Sequence, residues 1–372
     1  MARSDAAPPA RAGGVLDIDL AAIAENWRRL GQRLAPPATA AAVVKADAYG
    51  LGMAQVAPAL AQAGCTLFFV ATLDEGMALR RLLPGAEIAV LNGLLPGTSG
   101  DFRQTRLVPV LNDLGQIAAW RDAAETRALP AIIHIDTGMA RLGLPPSDTA
   151  RLAAASEMLA GIKLRAILSH LACADEPEHA SNARQLAAFR AALAALPRAP
   201  ASLVASSGIF LGADYHFDIA RPGAALYGVN PTPGAANPMA QVIRLKGRIL
   251  QVRDVDRATT VGYGAAHRMA RAGRIATVAV GYADGWLRSS SHRGSAAIAG
   301  QRVPVIGRIS MDLMTLDVTG IDPALARPGA FVDLIDEQYG VDAVASAAGT
   351  IAYEILTALG RRHHRIYRDG ST

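Results

Sequence analysis

Between about residue 40 and residue 223, short apolar segments alternate with segments that have helical spacing. The apolar segments are rich in β-branched residues and predict buried strands. Strands that are apolar throughout and alternate with helices are typical of a parallel sheet with both faces covered. Eight such units predict an α/β fold, a (β/α)8 barrel. The eight segments span residues 41–45, 66–72, 87–93, 107–111, 131–136, 164–170, 201–207 and 216–223.

The helical pattern is clearest in four of the intervals between these strands, at residues 52–64, 73–83, 146–159 and 180–196. The interval 94–106 is weakly helical, and the interval before the last strand is short. A count of seven or nine units therefore stays open beside the count of eight.

The pattern changes after about residue 234, where turn residues and not long helices separate the apolar runs. This pattern predicts a mostly antiparallel β domain, followed by one late helix over residues 349–360. Pro, Gly and Asn are frequent between residues 229 and 238, which places a boundary near residue 235. We therefore expect a disordered leader over residues 1–14, the barrel over 15–235 and the β domain over 236–372. The predicted β-domain runs are 241–252, 274–280, 297–306, 314–318 and 330–334.

Composition narrows the class of protein. A chain of 372 residues, 51% hydrophobic, can bury a large core without disulfides, and its two cysteines, Cys65 and Cys173, suit a reducing cytoplasm. The net charge of +5 comes from arginines scattered along the chain, so we expect no nucleic-acid partner. No run reaches the roughly 18 apolar residues of a membrane span, and the N-terminus lacks the apolar core of a signal peptide. We expect a cytoplasmic protein without a membrane or metal site.

Polar residues follow most of the predicted strands. In a barrel of this kind the carboxyl ends of the strands converge at one mouth, where active sites lie. A lysine, histidines, hydroxyls and an arginine around a concave site favour a ligand with a carbonyl or a phosphate group. The residues are Lys45, Asn92, His134, Asp136, His170, Ser206, Ser207 and Arg221.

Lys45 is the most informative of these residues. A partly desolvated lysine has a lowered pKa, and its free amine can form a Schiff base; the alternative is a lysine that ends a strand and reaches solvent. Ser207 could begin a helix whose amides face an anion, and Gly223 would let backbone N–H groups approach a phosphate. The alternatives, a simple cap and a simple turn, stay open on these residues alone.

Nine segments taken together resemble the alanine racemase family, in the family's order and spacing from about Leu16 to Tyr367. The resemblance implies a barrel that binds pyridoxal 5′-phosphate, followed by a β domain. The segments are VVKADAYGLG (43–52), IDTGMARLG (135–143), SHLACADE (169–176), ASSGIF (205–210), RPGAALYG (221–228), GYG (262–264), GYADGW (281–286), VIGRISMD (305–312) and AYEILT (352–357).

The resemblance implies an isomerase that interconverts L-alanine and D-alanine, acting as a homodimer with sites shared across the interface. Lys45 would be the Schiff-base lysine and one of two catalytic bases, and Tyr263 of the other subunit would be the second. Two bases on opposite faces let the proton leave Cα on one side and return on the other. Arg221 would contact the pyridine nitrogen of the cofactor, and His170 would pack on its ring.

The remaining site residues follow from the same resemblance. Arg141 would touch the phenolic oxygen of the cofactor and the substrate carboxylate, which also meets the backbone amide of Met311 from the partner, beside Asp312. Tyr282 would line a narrow entrance that favours alanine over larger side chains. The phosphate contacts would be Ser207, Gly223, Ala224 and Tyr353, with Tyr49 nearby.

The chain departs from the family pattern at several positions. His134 stands where many members carry a lysine, sometimes carbamylated, so another group must orient Arg141 here. Asp47 replaces the usual asparagine, and Leu51 a common histidine. Ser206 stands where asparagine is frequent.

Three other functions are alternatives to this one. A broad-specificity amino-acid racemase, acting for example on serine, is the strongest rival. A non-catalytic pyridoxal-phosphate carrier would not need Tyr263 and Met311, and a decarboxylase would place an acidic residue where Arg221 stands. Both supply of D-alanine for peptidoglycan and breakdown of D-alanine stay open from the sequence.

Overall fold

The computed structural model describes residues 10–124 and 127–369. Two compact units divide these residues. The barrel unit consists of Ile23–Ala48 and Gly52–Ala240, and the β unit consists of Tyr49–Leu51 with the described residues of Met1–Ala22 and Gln241–Thr372.

The barrel unit contains a closed ring of parallel strands. Seven strands pair side by side in chain order, and a further strand, Ile219–Ala220, pairs in parallel with Thr39–Ala40, just before the first of the seven. The ring closes where Asp218 N donates to Ala201 O (3.0 Å) and Arg221 N donates to Val204 O (2.9 Å). The predicted barrel is therefore confirmed. The seven strands are Ala42–Val43, Leu67–Val70, Glu87–Val90, Val108–Leu111, Leu129–His134, Ile162–Leu168 and Ala201–Ser202.

Helices connect most of these strands. Their starts are fixed locally: Thr72 and Glu75 form a reciprocal capping box, and Asp113 accepts a hydrogen bond from Gln116 N. In the last interval 3₁₀ turns take the place of a helix, at Ser207–Leu211 and Ala213–Tyr215. Across the described residues, none of the helices combines the length and the apolar character needed to cross a bilayer. The helices are Leu20–Arg33, Met53–Gln62, Leu73–Leu82, Ser99–Thr105, Leu114–Asp122, Pro146–Ala154 and Ala180–Ala195, with 3₁₀ turns at Ser156–Leu159 and Ala224–Tyr227.

The β unit is built around one long strand, Ile243–Val255, which pairs antiparallel with Gly14–Asp19, Gly273–Val278 and Phe331–Ile335. Six of its strands close on themselves through antiparallel pairs. The other strands are Thr260–Val261, His267–Arg268, Ser295–Ile298, Gln301–Ile306, Met314–Asp317 and His364–Arg368, and the helices are Val341–Ala348 and Ala352–Ala358.

The first strand differs from the expectation that residues 15–235 form the barrel. Gly14–Asp19 lies in the β unit, where Leu16 pairs with Leu245 and both side chains are fully buried. Of the expected leader, residues 1–9 lie outside the described residues. Ala12 is buried, and its carbonyl accepts a hydrogen bond from Arg248 Nε (2.7 Å). Burial of alternate apolar residues explains why this segment joins a sheet.

Two further segments correct the sequence analysis. The single strand predicted over residues 297–306 is a hairpin, because Ala299 and Gly300 have φ of 48° and 81° and reverse the chain. The helix predicted over residues 349–360 begins at Ala352, and an unpredicted helix, Val341–Ala348, precedes it. Gly349, with φ of 71°, separates the two helices.

Gly93 and Gly97 offer a matched test of packing in the barrel unit, since their φ values are 79° and 82°. A Cβ on Gly93 would lie 2.2 Å from Gln116 Oε1 and 2.7 Å from Asn112 Nδ2, whereas a Cβ on Gly97 would meet no atom within 4 Å. We expect Gly97→Ala to lower the free energy of unfolding by about 1–2 kcal/mol through backbone strain. Gly93→Ala should cost about 1–3 kcal/mol more because of the clash. Urea unfolding measures both; equal losses would refute the packing argument.

Candidate active site

Lys45 lies directly after the buried pair Val43 and Val44 at the carboxyl end of the first barrel strand. The residues that follow it, Ala46, Asp47 and Ala48, have φ of 53° to 54° and form a left-handed turn. Such a conformation costs roughly 1–2 kcal/mol for each residue other than glycine. The turn therefore persists only because other contacts hold it.

Two carboxylates hold this left-handed turn. Glu75 accepts hydrogen bonds from Ala46 N (2.6 Å) and Ala71 N (2.8 Å). Asp47 Oδ1 accepts from Met53 N (2.7 Å) at the start of helix Met53–Gln62, where a negative charge is favourable. Asp47, a departure from the family pattern, thus connects the turn to the next helix.

The environment of Lys45 favours the neutral amine. Burial, followed by the positive charge of Arg141, lowers the pKa of Lys45, and Glu75 opposes the shift. A neutral amine is the nucleophilic form of lysine. The role of Lys45 as a Schiff-base lysine stays a prediction.

Arg221 is a buried cation, 4% exposed, at the end of the last barrel strand. Its Nη1 donates to Ser202 Oγ, and its Nη2 donates to Ser169 O (2.6 Å) and His170 Nδ1 (3.4 Å). Within residues 10–124 and 127–369 no carboxylate forms an ion pair with Arg221, and burial lowers its pKa to about 10. A buried charge without a counter-ion is unfavourable, so the site suits a ligand that accepts hydrogen bonds.

His170 is held neutral by burial and, after it, by this cation. Burial and then the charge of Arg221 lower the pKa of His170 to about 3. Because His170 Nδ1 accepts from Arg221, the proton of the neutral ring lies on Nε2. Arg141, His134 and Lys45 also act on the pKa of His170, which places these barrel residues in one electrostatic cluster.

His134 is also neutral. Burial and the charge of Arg221 lower its pKa to about 4. The amide nitrogen of Asn112 donates to Leu91 O (3.1 Å) and Val110 O (2.9 Å), so its Oδ1 is the atom that faces His134 Nδ1, at 2.8 Å. The proton of His134 therefore lies on Nδ1, and Nε2 remains an acceptor.

The expected phosphate contacts in the barrel unit lie around Ser206. Its Oγ accepts hydrogen bonds from Gly223 N and Ala225 N, both at 3.1 Å. Ser206, which stands in place of asparagine, thus joins the segment that begins at Ser207 to the segment around Ala224. The first N–H groups of a helical turn lack an acceptor within that turn, and Ser207 and Ala224 each begin one.

Four predicted residues, Tyr263, Tyr282, Met311 and Asp312, belong to the β unit. Tyr263 is 69% exposed, and Met311 is 55% exposed. Tyr282 N donates to Ser310 O (3.1 Å), which ties the segment of Tyr282 to that of Met311. Asp312 lies beside them.

Arg362 fixes both segments, although sequence reasoning missed it. Its guanidinium pairs with Asp284 (3.1 Å) and with Asp312 (2.7 Å). Asp284 Oδ2 in turn accepts from Gly281 N (2.9 Å). Single charged residues distant in sequence give no local signal of such a bridge, whereas the spacing of Thr72 and Glu75 could have indicated the capping box.

Tyr49 and Tyr353 also belong to the β unit. Their rings pack at a centroid distance of 6.1 Å. Burial and the neighbouring Tyr353 raise the pKa of Tyr49, so its phenol stays protonated and can donate a hydrogen bond.

A parallel barrel with a partly buried lysine at the end of a strand, followed by an antiparallel β unit, is the architecture expected of the pyridoxal-phosphate-dependent barrel enzymes. Two family models extend this result. "Alanine racemase, N-terminal domain" matches residues 18–231, and "Alanine racemase, C-terminal domain" matches residues 242–367. The chain belongs to the alanine racemase family.

Individual relatives are similar to this chain over almost its whole length. It is 51% identical over 367 residues to the alanine racemase of Rhodospirillum rubrum, covering 97% of this chain and 98% of the relative. It is 49% identical to a catabolic alanine racemase of Mesorhizobium japonicum, covering 97% and 95%. The crystal structure of alanine racemase from Bartonella henselae, with covalently bound pyridoxal phosphate, matches with a TM-score of 0.92 at 40% identity, covering 96% of this chain and 100% of that chain.

The lowered pKa of His134 makes stability depend on pH. An unfolded histidine takes up a proton below about pH 6.5, whereas folded His134 takes one up only near pH 4. Above pH 6.5 His134 should therefore not change the free energy of unfolding. As the pH falls from 6.5 to 4, His134 should lower the free energy of unfolding by about 1.4 kcal/mol per pH unit. His134→Gln should reduce that slope in urea titrations, and His292→Asn, at an exposed histidine, should not. Equal slopes in all three proteins would contradict the assignment.

Proposed function

We propose that this chain interconverts L-alanine and D-alanine with pyridoxal 5′-phosphate as its cofactor, by proton transfer between two bases at the substrate Cα. The observation that carries the proposal is buried Arg221, which has no carboxylate partner among the described residues and lies against neutral His170. The names of the relatives favour alanine over a broader range of amino acids.

The residues of the barrel unit fit this cofactor. Lys45 supplies an amine of lowered pKa for its aldehyde, and Arg221 supplies N–H donors for its ring nitrogen. Ser207 and Ala224 begin short turns that suit its phosphate, and the N–H of Gly223 beside them donates to Ser206 Oγ. When bound, pyridoxal phosphate withdraws electrons from the α-carbon of an attached amino acid and makes its proton acidic.

Lys45 and Tyr263 would move that proton. Burial and the charge of Arg141 favour the neutral amine of Lys45, which can accept this proton. We assign the opposite face of the substrate to the phenol of Tyr263 from a second copy of the chain. A phenol and an amine can each hold or release a proton, as racemisation in both directions requires.

Arg221 and His170 would control where the proton returns. A guanidinium does not release its proton, so Arg221 would leave the ring nitrogen of the cofactor unprotonated. His170 has a pKa of about 3 and holds no extra proton that it could supply. A cofactor ring with an unprotonated nitrogen would withdraw electrons from Cα less strongly. This favours fast return of the proton to Cα over side reactions such as transamination.

Other residues would bind the substrate and the phosphate. We assign the substrate carboxylate to Arg141 and to the backbone amide of the partner's Met311, beside Asp312. Tyr282 would narrow the entrance. By the resemblance to the family, Tyr353 and Tyr49, whose rings pack against each other, would donate hydrogen bonds to the phosphate.

A homodimer is part of this proposal. Large side chains such as Tyr263, Met311 and Leu250 are at least half exposed on the β unit. Large exposed apolar side chains are candidates for a protein interface. We also propose that the enzyme acts in the cytoplasm, since Cys65 and Cys173 are both free thiols.

The first test is spectroscopic and chiral. Purified protein with added cofactor should show the visible absorbance of lysine-bound pyridoxal, and borohydride should bleach it and mark Lys45 in a peptide map. Chiral chromatography should show D-alanine formed from L-alanine, and less product from L-serine. Absorbance without racemisation would indicate a carrier, and equal rates on both amino acids would indicate a broad-specificity racemase. Absence of any band would overturn the site.

Tyr263→Phe tests the second base. Loss of the phenol should slow deuterium uptake from D2O into one alanine enantiomer by about 100-fold or more, as for other general bases. The cofactor absorbance should be retained, because Lys45 is unchanged. Tyr215→Phe, at a tyrosine of the barrel unit, serves as the control. Equal exchange from both enantiomers in Tyr263→Phe would refute the role.

Mixing two inactive variants tests whether Tyr263 acts across subunits. A hybrid of one Lys45→Ala chain and one Tyr263→Phe chain has one intact pair of bases only if each site uses Tyr263 of the other subunit. Regained activity after subunit exchange supports the shared site, and no regained activity in confirmed hybrids contradicts it.

A further inference from the structure

A second cleft lies in the barrel unit, at the amino ends of the strands. It is bordered by the first residues of three strands, Glu87, Val108 and Leu129, and has a volume of about 790 Å³. Lys45, His170 and Arg221 follow the carboxyl ends of their strands. The cleft is therefore at the other end of the barrel from the candidate active site.

The side chains around this cleft are mostly positive. The single carboxylate that lines it among the described residues, Glu87, is already paired with Arg165 (2.6 Å). The six cationic side chains are Arg80, Arg103, Arg106, Arg127, Lys163 and Arg165.

Two of the arginines are fixed in place by backbone carbonyls. Arg80 donates to Ala86 O (2.6 Å), Thr105 O (2.9 Å) and Arg106 O (2.9 Å), and Arg106 Nη2 donates to Pro84 O (3.3 Å). Carbonyls satisfy the N–H groups but do not cancel the charge. Burial and then the neighbouring Arg106 lower the pKa of Arg80, as expected where like charges are held close together.

The floor of the cleft strengthens the field of these charges. Phe102 and Trp120 are each 1% exposed and pack edge to face at 5.9 Å. Clefts with charges of one sign and apolar walls focus the electric field and concentrate counter-ions. Arg127 and Lys163 are exposed at the rim, so their side chains can reach an incoming ligand.

We propose that this cleft binds a small multivalent anion of the phosphate type, a polyphosphate or a phosphate ester, with Arg127 and Lys163 making direct contacts. Guanidinium groups match phosphate oxygens in geometry and charge. Arg80 and Arg106 line the cleft, and their fixed positive charges attract the same ligand. This inference does not depend on the proposed racemase activity.

Calorimetric titration of inorganic pyrophosphate into the full chain, saturated with pyridoxal phosphate and alanine, tests the proposal. We expect saturable binding of one pyrophosphate per chain that weakens as salt is added. The double variant Arg127→Glu/Lys163→Glu should bind about tenfold more weakly or worse. The milder variant Arg127→Gln/Lys163→Gln should lose less affinity for pyrophosphate. It keeps the test valid if the charge-reversed variant does not fold.

The matched control is Arg184→Glu/Arg198→Glu, which makes the same charge change at exposed arginines of the barrel unit outside the cleft. It should bind pyrophosphate like the unchanged protein. Absence of saturable binding, or equal weakening in the control, would overturn the proposal. Tighter binding of citrate than of pyrophosphate would overturn the phosphate preference. Because binding is measured directly, an inactive enzyme would leave this result interpretable.

Discussion

The candidate active-site residues of the barrel unit depend on one buried guanidinium. Arg221 is held by Ser202, Ser169 and His170, and no described carboxylate offsets its charge. In a region of low dielectric this charge acts over a distance on the groups around it. It helps to keep His170 and His134 neutral, and His170 accepts its hydrogen bond. An acidic residue at position 221 would reverse each of these effects, since it would favour protonated histidines and a protonated ligand nitrogen.

The same site stores backbone strain next to Lys45. A left-handed turn of residues with side chains is unfavourable, yet it places the lysine at the end of a buried strand and turns the chain away at once. Glu75 and Asp47 offset the strain with charge-assisted hydrogen bonds to backbone amides. Lys45 therefore owes its position to two carboxylates that do not belong to the expected catalytic set.

Local pattern was sufficient for the barrel and for the antiparallel unit, because both follow from the period and the length of apolar runs. It was insufficient where the outcome depends on distant partners. Gly14–Asp19 has the composition of an ordinary strand, and only its pairing with Ile243–Val255 shows which unit it joins. Lys45 and Arg221 stood out at strand ends, whereas the Arg362 bridge to Asp284 and Asp312 joins residues far apart in sequence. The left-handed turn lacks the glycines that normally signal positive φ.

The net charge of +5 takes on a more definite meaning in the folded chain. Scattered arginines give no basic block in the sequence, but the barrel collects cations at both of its ends. At the carboxyl ends burial and then Arg141 lower the pKa of Lys45, and burial and then Arg221 lower that of His170. At the amino ends the carbonyls around Arg80 hold a second set of charges without neutralising it. Repulsion within each set lowers stability, so each is best explained by an anionic or electron-rich ligand that relieves it.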